Sequence, residues 1–415
     1  MDVRRIAQLA RESSTALAAA TTEKKNTVIR TMVGKLASRK KEILRANEAD
    51  LAQARSKRLP LTLVNRLRFD EAKIDARIRC LNKLEALPDP VGQLYGVERR
   101  PNGLEVARVR VPLGVILMIY EARPHVTVNA GAFCLKSGNA AILRGGSEAK
   151  RCNAVLGNLW RESLTESGLP PEAIQVIAGS HKEIGNLLHE DEYIDLVIPR
   201  GGKTLIKTVA DMSRIPVVKH FAGICHVYLD QGADIDEGIA IALDSKCLMP
   251  EVCNAMETLL VCEQLSHALP RIVNTFQKRG VTVKGCETTK ALVTGVELAT
   301  EDDWRTEYLD TIVSVRIVSD VNKAIEHINR YGSHHTDAIV TDSESRARQF
   351  VQRVDSAVVL VNASTMFCDG ESLGMGAEIG ISTDKIHARG PMGLEELTSY
   401  KFVIRGDGHL MGDGT

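Results

Sequence analysis

The sequence predicts an α/β protein in which two parallel-sheet domains follow a set of helices. Apolar residues recur at helical spacing over the first 86 residues, as in Val28, Met32 and Leu36. From Val115 onward, short β-branched runs alternate with helix-like segments, and this alternation resumes after Gly223. Strands that alternate with helices are joined by right-handed crossovers and form parallel sheets. We therefore expect two α/β domains that divide near Gly223.

The composition excludes several classes of protein. The 415 residues include 53 Lys plus Arg and 53 Asp plus Glu, so the chain is not a polycation built for nucleic acid or membrane surfaces. The longest nearly uninterrupted apolar run, residues 111–120, is too short to span a bilayer, and the N-terminus lacks a secretory-signal pattern. Nine cysteines without a CxxC pair argue against a disulfide scaffold or a zinc ribbon. A cytoplasmic protein is predicted.

The first predicted domain begins after a turn signal. Asn102-Gly103 lies beside residues 104–111, where Arg108 and Arg110 alternate with apolar residues, which predicts a β-hairpin. Ser180 and Glu183 form a capping box that starts a helix. The strands predicted for this domain are 115–119, 140–143, 175–177, 194–198 and 217–218, with helices at 125–136 and 147–167.

The second predicted domain continues the same alternation. A strand-like segment, 400–404, follows its glycine-rich end. Its strands are predicted at 226–229, 259–262, 281–284, 312–317, 338–341 and 358–361, and its helices at 234–243, 266–278, 320–329 and 343–353.

A glycine pair is the first candidate ligand-binding feature. No GxGxxG follows a strand, and Gly201-Gly202-Lys203-Thr204 lacks the first glycine of a P-loop, because Val197 stands there. The pair nevertheless follows a predicted strand and opens a predicted helix, so its N–H groups are candidates for binding a pyrophosphate. The alternative interpretation is an ordinary turn.

Two cysteines are candidate nucleophiles. Cys247 and Cys253 lie close together, with Lys246 and Pro250 beside them. A nearby cation or a helix N-terminus lowers the pKa of a thiol and makes it reactive. The alternative is that they are small buried hydrophobic residues, which is the commoner role of a cysteine.

Histidine and arginine residues give weaker signals. Adjacent residues on a strand point to opposite faces, so His334-His335 predicts a turn rather than a metal site. Arg389 and Arg123 could each hold a carboxylate or phosphate, or simply be solvated. The position of Arg123 directly after a buried strand favours function, because open α/β sheets bind ligands at the carboxyl ends of their strands.

Several motifs follow one another in the order of a known family over nearly the whole chain. They are Val111-Pro-Leu-Gly-Val115, Tyr120-Glu-Ala-Arg-Pro124, Ser137-Gly-Asn-Ala-Ala-Ile-Leu-Arg-Gly-Gly-Ser-Glu148, Ile198-Pro-Arg-Gly-Gly202, Gly223-Ile-Cys-His-Val227, Cys253-Asn-Ala-Met-Glu-Thr258, His335-Thr-Asp-Ala-Ile339, Val361-Asn-Ala-Ser-Thr365 and His387-Ala-Arg-Gly-Pro-Met-Gly393. On these motifs the chain resembles the γ-glutamyl phosphate reductases, a branch of the aldehyde dehydrogenase superfamily.

The resemblance implies the domain organisation. It implies an aldehyde dehydrogenase-like fold with a Rossmann-like cofactor domain, an α/β catalytic domain and a small β-hairpin extension that pairs subunits as a homodimer or homotetramer. The implied ranges are 1–97 and 112–223 for the NADPH-binding domain with its N-terminal helices, 224–369 for the catalytic domain, 98–111 and 395–415 for the oligomerisation extension, and 370–394 for a return segment that completes the active site.

The resemblance also implies a reaction. These enzymes reduce L-glutamyl 5-phosphate with NADPH to L-glutamate 5-semialdehyde, in proline biosynthesis, with channelling from glutamate kinase as a further expectation. By position Cys253 is the nucleophile, with Cys247 as second choice, and the N–H groups of Cys253 and Asn254 are a candidate oxyanion site. The implied substrate-binding residues are Arg123, Lys246 and Arg389.

Cofactor residues carry over in the same way. Arg144 replaces the superfamily lysine at the adenosine ribose, and Ser147 stands where NAD-preferring members often have a carboxylate. Both changes favour NADPH over NADH. The other implied cofactor-binding residues are Gly146, Gly179, Arg200, Gly201, Gly202 and Glu307.

Three positions depart from the related patterns. Ala122 stands where aldehyde dehydrogenases have an oxyanion asparagine, and their water-activating glutamate falls near His220. Without that carboxylate, hydrolysis of a thioester should be slow, which favours the reductase over the alternative, a hydrolytic NAD(P)-dependent aldehyde dehydrogenase. Met366 replaces the usual arginine of the reductases. A non-catalytic scaffold is disfavoured by the retained Cys253, Arg389 and Glu307.

Overall fold

The computed structural model describes residues 2–376 and 378–411, which fall into two compact units. Of the described residues, unit 1 comprises 2–219, 374–376, 378–380 and 392–411, and unit 2 comprises His220–Leu373 and Ile381–Pro391. The division after Lys219 lies close to the predicted boundary at residue 223, and the predicted return segment is shared between the units. Residue 1, residue 377 of that segment and residues 412–415 of the predicted extension lie outside the described residues.

The first five helices lie in residues 1–86, the region that the sequence predicts to be helical. None of the described helices is long and apolar enough to cross a membrane. The helices are α1 Val3–Ala18, α2 Thr22–Ser38, α3 Lys40–Ser56, α4 Leu61–Leu67, α5 Glu71–Ala86, α6 Pro124–Lys136, α7 Lys150–Glu166, α8 His181–Leu187, α9 Lys203–Met212, α10 Ile235–Cys247, α11 Leu269–Lys278, α12 Glu287–Leu292, α13 Val321–Tyr331 and α14 Glu344–Arg353.

The strands lie near the predicted positions, with additions. The pattern did not predict β10, β14 and β15. The strands are β1 Leu94–Arg99, β2 Glu105–Pro112, β3 Val115–Tyr120, β4 Ala140–Gly145, β5 Ile174–Ile177, β6 Leu196–Arg200, β7 Cys225–Leu229, β8 Met256–Cys262, β9 Thr282–Gly285, β10 Glu297–Leu298, β11 Ile312–Val318, β12 Thr336–Val340, β13 Val358–Val361, β14 Gly380–Ser382, β15 Gly390–Met392 and β16 Thr398–Arg405.

Unit 1 is built on a four-stranded parallel sheet in the order β5-β4-β3-β6. Every residue of β3 is buried, as its unbroken apolar sequence predicts for a strand covered on both faces. The predicted strand at 217–218 is wrong, because Val217 forms only a single bridge to Val197. Pro216 has no N–H to donate, so the ladder does not extend.

Buried lysines fasten the N-terminal helices to unit 1. Lys25 of α2 is fully buried, lies 2.5 Å from Asp89 and donates to the carbonyl of Lys136 at 3.1 Å. Lys136 of α6 in turn donates to Asn26 and to the carbonyl of Glu85. Burial lowers the pKa of Lys25 against the opposing effect of Asp89. The helices are therefore part of the unit and not an appendage.

The predicted hairpin and the predicted final strand meet in one sheet. Strands β1, β2 and β16 form a three-stranded antiparallel sheet in that order. Arg108 stacks over the rings of Tyr400 and Phe402, at 4.7 and 5.4 Å from the ring centroids. Because β1 begins at Leu94, the hairpin starts earlier than the predicted residue 98.

Unit 2 is built on a seven-stranded parallel sheet. Its order is β10-β9-β11-β8-β7-β12-β13, with β8 buried at every residue. Two apolar clusters cover the sheet, one against α10 and α11 and the other against α13 and α14. Strands β14 and β15 form a separate two-stranded sheet.

Candidate active site

The candidate nucleophile lies at the amino edge of the seven-stranded sheet. Strands β7, β8 and β12 begin at Cys225, Met256 and Thr336 and are parallel neighbours. Residues directly before these strands therefore meet at one edge. This places Cys253, which precedes β8, beside His335, which precedes β12.

Two imidazoles accompany the Cys253 thiol. The sulfur of Cys253 and one ring nitrogen each of His220 and His335 all lie within 4.8 Å of one another. The two histidine rings are also in contact, with 4.8 Å between their centroids. Cys253 and His220 are half-buried, whereas His335 is fully buried. This thiol–imidazole cluster, Cys253 with His220 and His335, joins residues from three separate segments.

The backbone around Cys253 is fixed by close packing. The thiol of Cys225 donates to the carbonyl of Cys253 at 3.3 Å. A Cβ on Gly223 would lie 1.7 Å from that same carbonyl oxygen, so only glycine fits at position 223. The N–H of Gly223 donates to Glu307 at 2.6 Å. Glu307, expected at the nicotinamide ribose, thus also holds the segment that packs on Cys253.

Asn254 uses its side chain to hold a turn. The buried amide donates to the carbonyls of Met366 and Cys368, each at 3.2 Å. The residue that replaces the usual arginine, Met366, is itself buried in this turn. The side chain of Asn254 is therefore committed to structure, while the predicted oxyanion role concerns its backbone N–H.

Lys246, expected to bind substrate, lies in the interior. Its ammonium is fully buried and pairs with Glu257 at 2.6 Å. The second oxygen of Glu257 accepts from the N–H of Leu309 at 3.1 Å. Burial raises the pKa of Glu257 to about 7, and Lys246 opposes that rise. The expectation for Lys246 is corrected, because a fully buried, paired ammonium does not reach a ligand from solvent.

The neighbouring Cys247 differs from Cys253. It is the last residue of α10, and its thiol is half-buried. Burial raises the pKa of the Cys247 thiol, although Arg279 and Lys246 oppose the shift. A raised pKa leaves less thiolate at neutral pH, which disfavours Cys247 as a nucleophile.

Arg389, the other expected substrate residue of unit 2, is engaged by an aspartate. Its guanidinium donates to the Asp355 carboxylate at 2.9 Å and to the Asp355 carbonyl at 3.0 Å. Lys385 also pairs with Asp355, and the pKa of Asp355 is lowered chiefly by Lys385 and then by Arg389. The charge of Arg389 is therefore already compensated within unit 2.

In unit 1 the expected cofactor residues lie at or just after the carboxyl ends of the parallel strands. Arg144, near the end of β4, donates to the carbonyl of Gly179 at 3.3 Å, which brings two of them together. Its Nε is buried without a hydrogen-bond partner, and burial lowers its pKa. Gly146 precedes the short helical turn that begins at Ser147.

A carboxylate contacts the glycine pair. The N–H of Gly202, directly before α9, donates to Glu121 at 3.2 Å. A Cβ on Gly201 would lie 2.6 Å from the Glu121 carboxyl carbon. Arg200, just before the pair, lies close to Gly380. The N-terminus of α9, which the sequence predicts to bind a pyrophosphate, thus binds the carboxylate of Glu121 in this structure.

Comparisons with known proteins decide the family. Residues 1–291 match the model of the aldehyde dehydrogenase family. The chain is 48% identical over 412 residues, 99% of each chain, to a γ-glutamyl phosphate reductase from Moorella thermoacetica. The chain belongs to the γ-glutamyl phosphate reductase family. The aldehyde dehydrogenase-like fold and the family predicted from the motifs are confirmed.

Solved structures of γ-glutamyl phosphate reductases agree. The crystal structure of one from Thermotoga maritima matches with a TM-score of 0.96 and 43% identity, covering 99% of this chain and 100% of that one. Another, from Saccharomyces cerevisiae, matches with a TM-score of 0.56 and 32% identity over the full length of both chains. The family consists of oxidoreductases of proline biosynthesis, and its aldehyde dehydrogenase relationship implies a nicotinamide cofactor.

Cations near Arg123 are functional candidates that sequence reasoning missed. His125, two residues after Arg123, has its pKa lowered to about 3 by burial and by the positive charges of Arg77, Arg123, Lys73 and Arg200. Arg77 and Lys73 belong to α5, far from Arg123 in sequence, and their helical pattern carries no signal of this role. In a γ-glutamyl phosphate reductase, such a cluster of cations suits an anionic ligand.

Proposed function

We propose that the chain reduces L-glutamyl 5-phosphate to L-glutamate 5-semialdehyde and phosphate, with NADPH, through a thioester on Cys253. The thiol–imidazole cluster at the amino edge of the sheet carries this proposal, since it sets one half-buried thiol among two imidazoles. An imidazole next to a cysteine acts as a proton acceptor that produces its thiolate, and we assign this role to His220, because burial lowers the pKa of His335 to about 3. The 48% identical γ-glutamyl phosphate reductase supports the substrate.

The residues of this chain perform the covalent part of the reaction. The Cys253 thiolate attacks the acyl phosphate carbonyl, the carbon–oxygen bond to phosphate breaks, and a thioester remains on the sulfur. When bound, NADPH supplies the hydride that the reduction consumes. The sulfur then leaves the tetrahedral hemithioacetal carbon as thiolate while the aldehyde forms. Splitting one difficult step into two easier ones is the purpose of such covalent catalysis.

The residues of unit 1 fit a cofactor that carries phosphate groups. The Nε of Arg144 is a buried donor without a partner, and an anionic group would satisfy it. Arg144 lies near the carboxyl end of β4, and Gly146, Ser147 and Gly179 follow the ends of β4 and β5, where open α/β sheets bind dinucleotides. We propose that Arg144 holds the 2′-phosphate, which makes NADPH the preferred cofactor.

The substrate phosphoryl group needs cationic partners. Lys246 is not proposed, because it is buried and paired, and Arg389 is proposed only through the part of its guanidinium that Asp355 leaves exposed. Arg123 is the better candidate, since it belongs to the cluster of cations around His125. We propose that Arg123 is the main anion-binding group.

The alternative is a hydrolytic dehydrogenase, which would need a base to activate water. A positioned carboxylate adds about 10²–10⁴-fold to such a step. Position 220 carries an imidazole, and the carboxylate of Glu257, four residues after Cys253, is buried against Lys246. Phosphate, in contrast, is already an anionic nucleophile. The proposal therefore requires phosphate, and not water, to release the acyl group in the reverse direction.

The reverse reaction tests the proposal. Pyrroline carboxylate with NADP in phosphate-free buffer should yield NADPH for about one turnover per active site, as expected for an acyl group that water releases slowly. Phosphate or arsenate should restore steady turnover, and His220→Glu should raise the rate without phosphate. Sustained NADPH production by the wild-type protein without phosphate would replace the reductase with the hydrolytic alternative.

Assembly and location are part of the proposal. The β1-β2-β16 sheet exposes the apolar side chains of Leu94, Tyr400, Phe402 and Ile404, which supports pairing of subunits as a homodimer or homotetramer. Phe402→Lys should then lower the mass measured by light scattering.

No disulfide joins any of the nine cysteines, all of them within the described residues, which supports a reducing cytoplasm. Channelling from glutamate kinase would appear as co-sedimentation of the two proteins.

A further inference from the structure

The thiol–imidazole cluster has the donor set of a metal site. One thiol and two imidazoles are ligands that Zn²⁺ prefers, and three protein ligands with one open position are typical of zinc sites that bind a further molecule. The three donor atoms lie within 4.8 Å of one another. In a tetrahedral zinc site with bonds of about 2.0–2.3 Å, the donor atoms lie about 3.4–3.6 Å apart. A movement of about 1 Å by half-buried side chains would therefore close the site.

His335 provides an independent sign of a missing ligand. Its ring is fully buried, and Nε2 has no hydrogen-bond partner. Its Nδ1 lies 2.8 Å from the hydroxyl of Thr336 and 3.7 Å from the sulfur of Cys225. When Nδ1–H donates to Thr336, Nε2 presents its lone pair, as the second nitrogen of a metal-binding histidine does. An unsatisfied buried nitrogen is costly unless a ligand satisfies it.

We propose that Cys253, His220 and His335 bind Zn²⁺ and that the bound ion inhibits the enzyme by occupying the nucleophile. The thiol of Cys253 loses its proton to solvent as the sulfur–zinc bond forms, and both imidazoles bind as neutral ligands. No electron is transferred, so a chelator that removes the ion restores the thiol. Binding is independent of the proposed reaction, whereas inhibition rests on Cys253 being its nucleophile.

Access to the site differs among its ligands. Cys253 and His220 are half-buried, so an ion can reach them from solvent, whereas His335 is reached only from inside the cluster. The backbone of Cys253 is already fixed by Cys225 and by the close approach of Gly223. The chain therefore orders most of the site before the ion arrives, which favours binding.

Titration with Co²⁺ tests binding without any turnover. Co²⁺ takes the same ligands as Zn²⁺ and shows a thiolate-to-cobalt charge-transfer band when a cysteine binds it. The wild-type protein should develop this band at one Co²⁺ per chain, and Zn²⁺ should abolish it by displacement. Cys253→Ser should remove the band, and His220→Gln should weaken Co²⁺ affinity at least about 10-fold. Cys286→Ser, which removes another half-buried thiol of unit 2, should leave the band unchanged.

Inhibition is measured separately. Zn²⁺ should stop NADPH production by the wild-type protein, EDTA should restore it, and His220→Gln should shift the inhibiting Zn²⁺ concentration upward in parallel with its Co²⁺ affinity. If the wild-type protein shows no charge-transfer band, or if the band survives in Cys253→Ser, the metal site is wrong even where the reductase activity depends on Cys253. If the band appears while Cys253→Ser keeps its activity, the metal site stands and the proposed reaction fails.

Discussion

The two parallel sheets present their candidate sites at opposite ends of their strands. In unit 1, Arg123, Gly146, Gly179 and the glycine pair follow the carboxyl ends of the four-stranded sheet. In unit 2, the thiol–imidazole cluster precedes the amino ends of the seven-stranded sheet. The rule that open α/β sheets bind ligands at the carboxyl ends of their strands therefore predicts the site of unit 1 but not that of unit 2. A reactive group in an α/β protein has to be sought at both edges.

The two edges also differ in charge. The edge of unit 1 gathers arginines, with Arg123 and Arg200 near enough to His125 to lower its pKa. The edge of unit 2 gathers a thiol and imidazoles, and Lys246, which precedes Cys253 by seven residues, is paired in the interior. The first edge suits anions, whereas the second suits nucleophilic chemistry and thiophilic metals. Each of the following experiments changes one edge and compares it with a matched position.

The largest effect is expected at the amino edge of unit 2. Cys253→Ser should lower reductase activity by several orders of magnitude, because the hydroxyl has no accessible anion at neutral pH, while NADPH binding survives. Cys247→Ser should keep substantial activity, since burial already raises the pKa of that thiol. Steady-state rates and NADPH fluorescence titrations measure both. The opposite ranking of the two variants would move the nucleophile to Cys247.

A large loss of stability is expected just behind that edge. Lys246→Met leaves the Glu257 carboxylate buried without its cation, which typically costs about 3–5 kcal/mol. Lys207→Met breaks an exposed pair with Asp211 and should cost less than about 1 kcal/mol. Urea unfolding curves measure both values. Similar losses for the two variants would contradict the buried pair.

The Lys246→Met loss should also depend on pH. The pKa of Glu257 is already raised to about 7, and removing Lys246 raises it further. Folding raises the pKa of this acid and so favours its protonated form. The contribution of the acid to the free energy of unfolding is therefore fully present below the pKa of the unfolded chain, and it is lost as the pH rises through the pKa of the folded protein. The deficit should therefore be larger at pH 8 than at pH 5.

An intermediate effect is expected at the carboxyl edge of unit 1. Arg144→Ala removes a cation proposed to meet the 2′-phosphate, and a charged hydrogen bond of this kind is worth about 1.5–3 kcal/mol. NADPH affinity should fall roughly 10- to 100-fold, while NADH affinity changes much less. Equal losses for both cofactors, measured by fluorescence titration, would mean that Arg144 does not contact the phosphate.

The smallest effect is expected at the helix start beside Gly179. Ser180 and Glu183 form a capping box, with Ser180 N–H donating to Glu183 at 2.8 Å. Ser180→Ala should cost about 1 kcal/mol, as should Ser343→Ala at the start of α14. Only Ser180→Ala should also raise the KM for NADPH, because it loosens the cofactor edge. An unchanged KM for NADPH would mean that Gly179 is not part of the cofactor site.

The sequence predicts what depends on local pattern. Strands of both sheets, the hairpin and the capping box at Ser180 follow from alternation, turn residues and spacing, all of which act over a few residues. The same reasoning fails at residues 217–218, where a strand is predicted but only a single bridge forms at Val217. A strand needs backbone N–H donors as well as β-branched residues, and the preceding Pro216 has none.

Long-range pairing is what the sequence conceals. The sequence alone does not show that Lys246 is paired with Glu257, or that Lys25, which has the pattern of a solvated helix residue, is paired with Asp89. His220 and His335 lie far apart along the chain, and only the parallel order of β7, β8 and β12 brings them to Cys253. Charge, burial and ligand sets of this kind arise from topology, which no local pattern encodes.

The pairing of β2 with β16 sets the order in which the chain can finish folding during synthesis. The hydrogen bond between Arg110 and Thr398 joins residues 288 positions apart, and the whole of His220–Leu373 is made between them. At a synthesis rate of about 5–20 residues per second, roughly 15–60 s pass between the synthesis of β2 and that of its second neighbour, β16. A chain that stalls in that interval exposes an open strand edge, which is a template for aggregation. Translation speed over the second half of the message thus bears directly on the yield of folded protein.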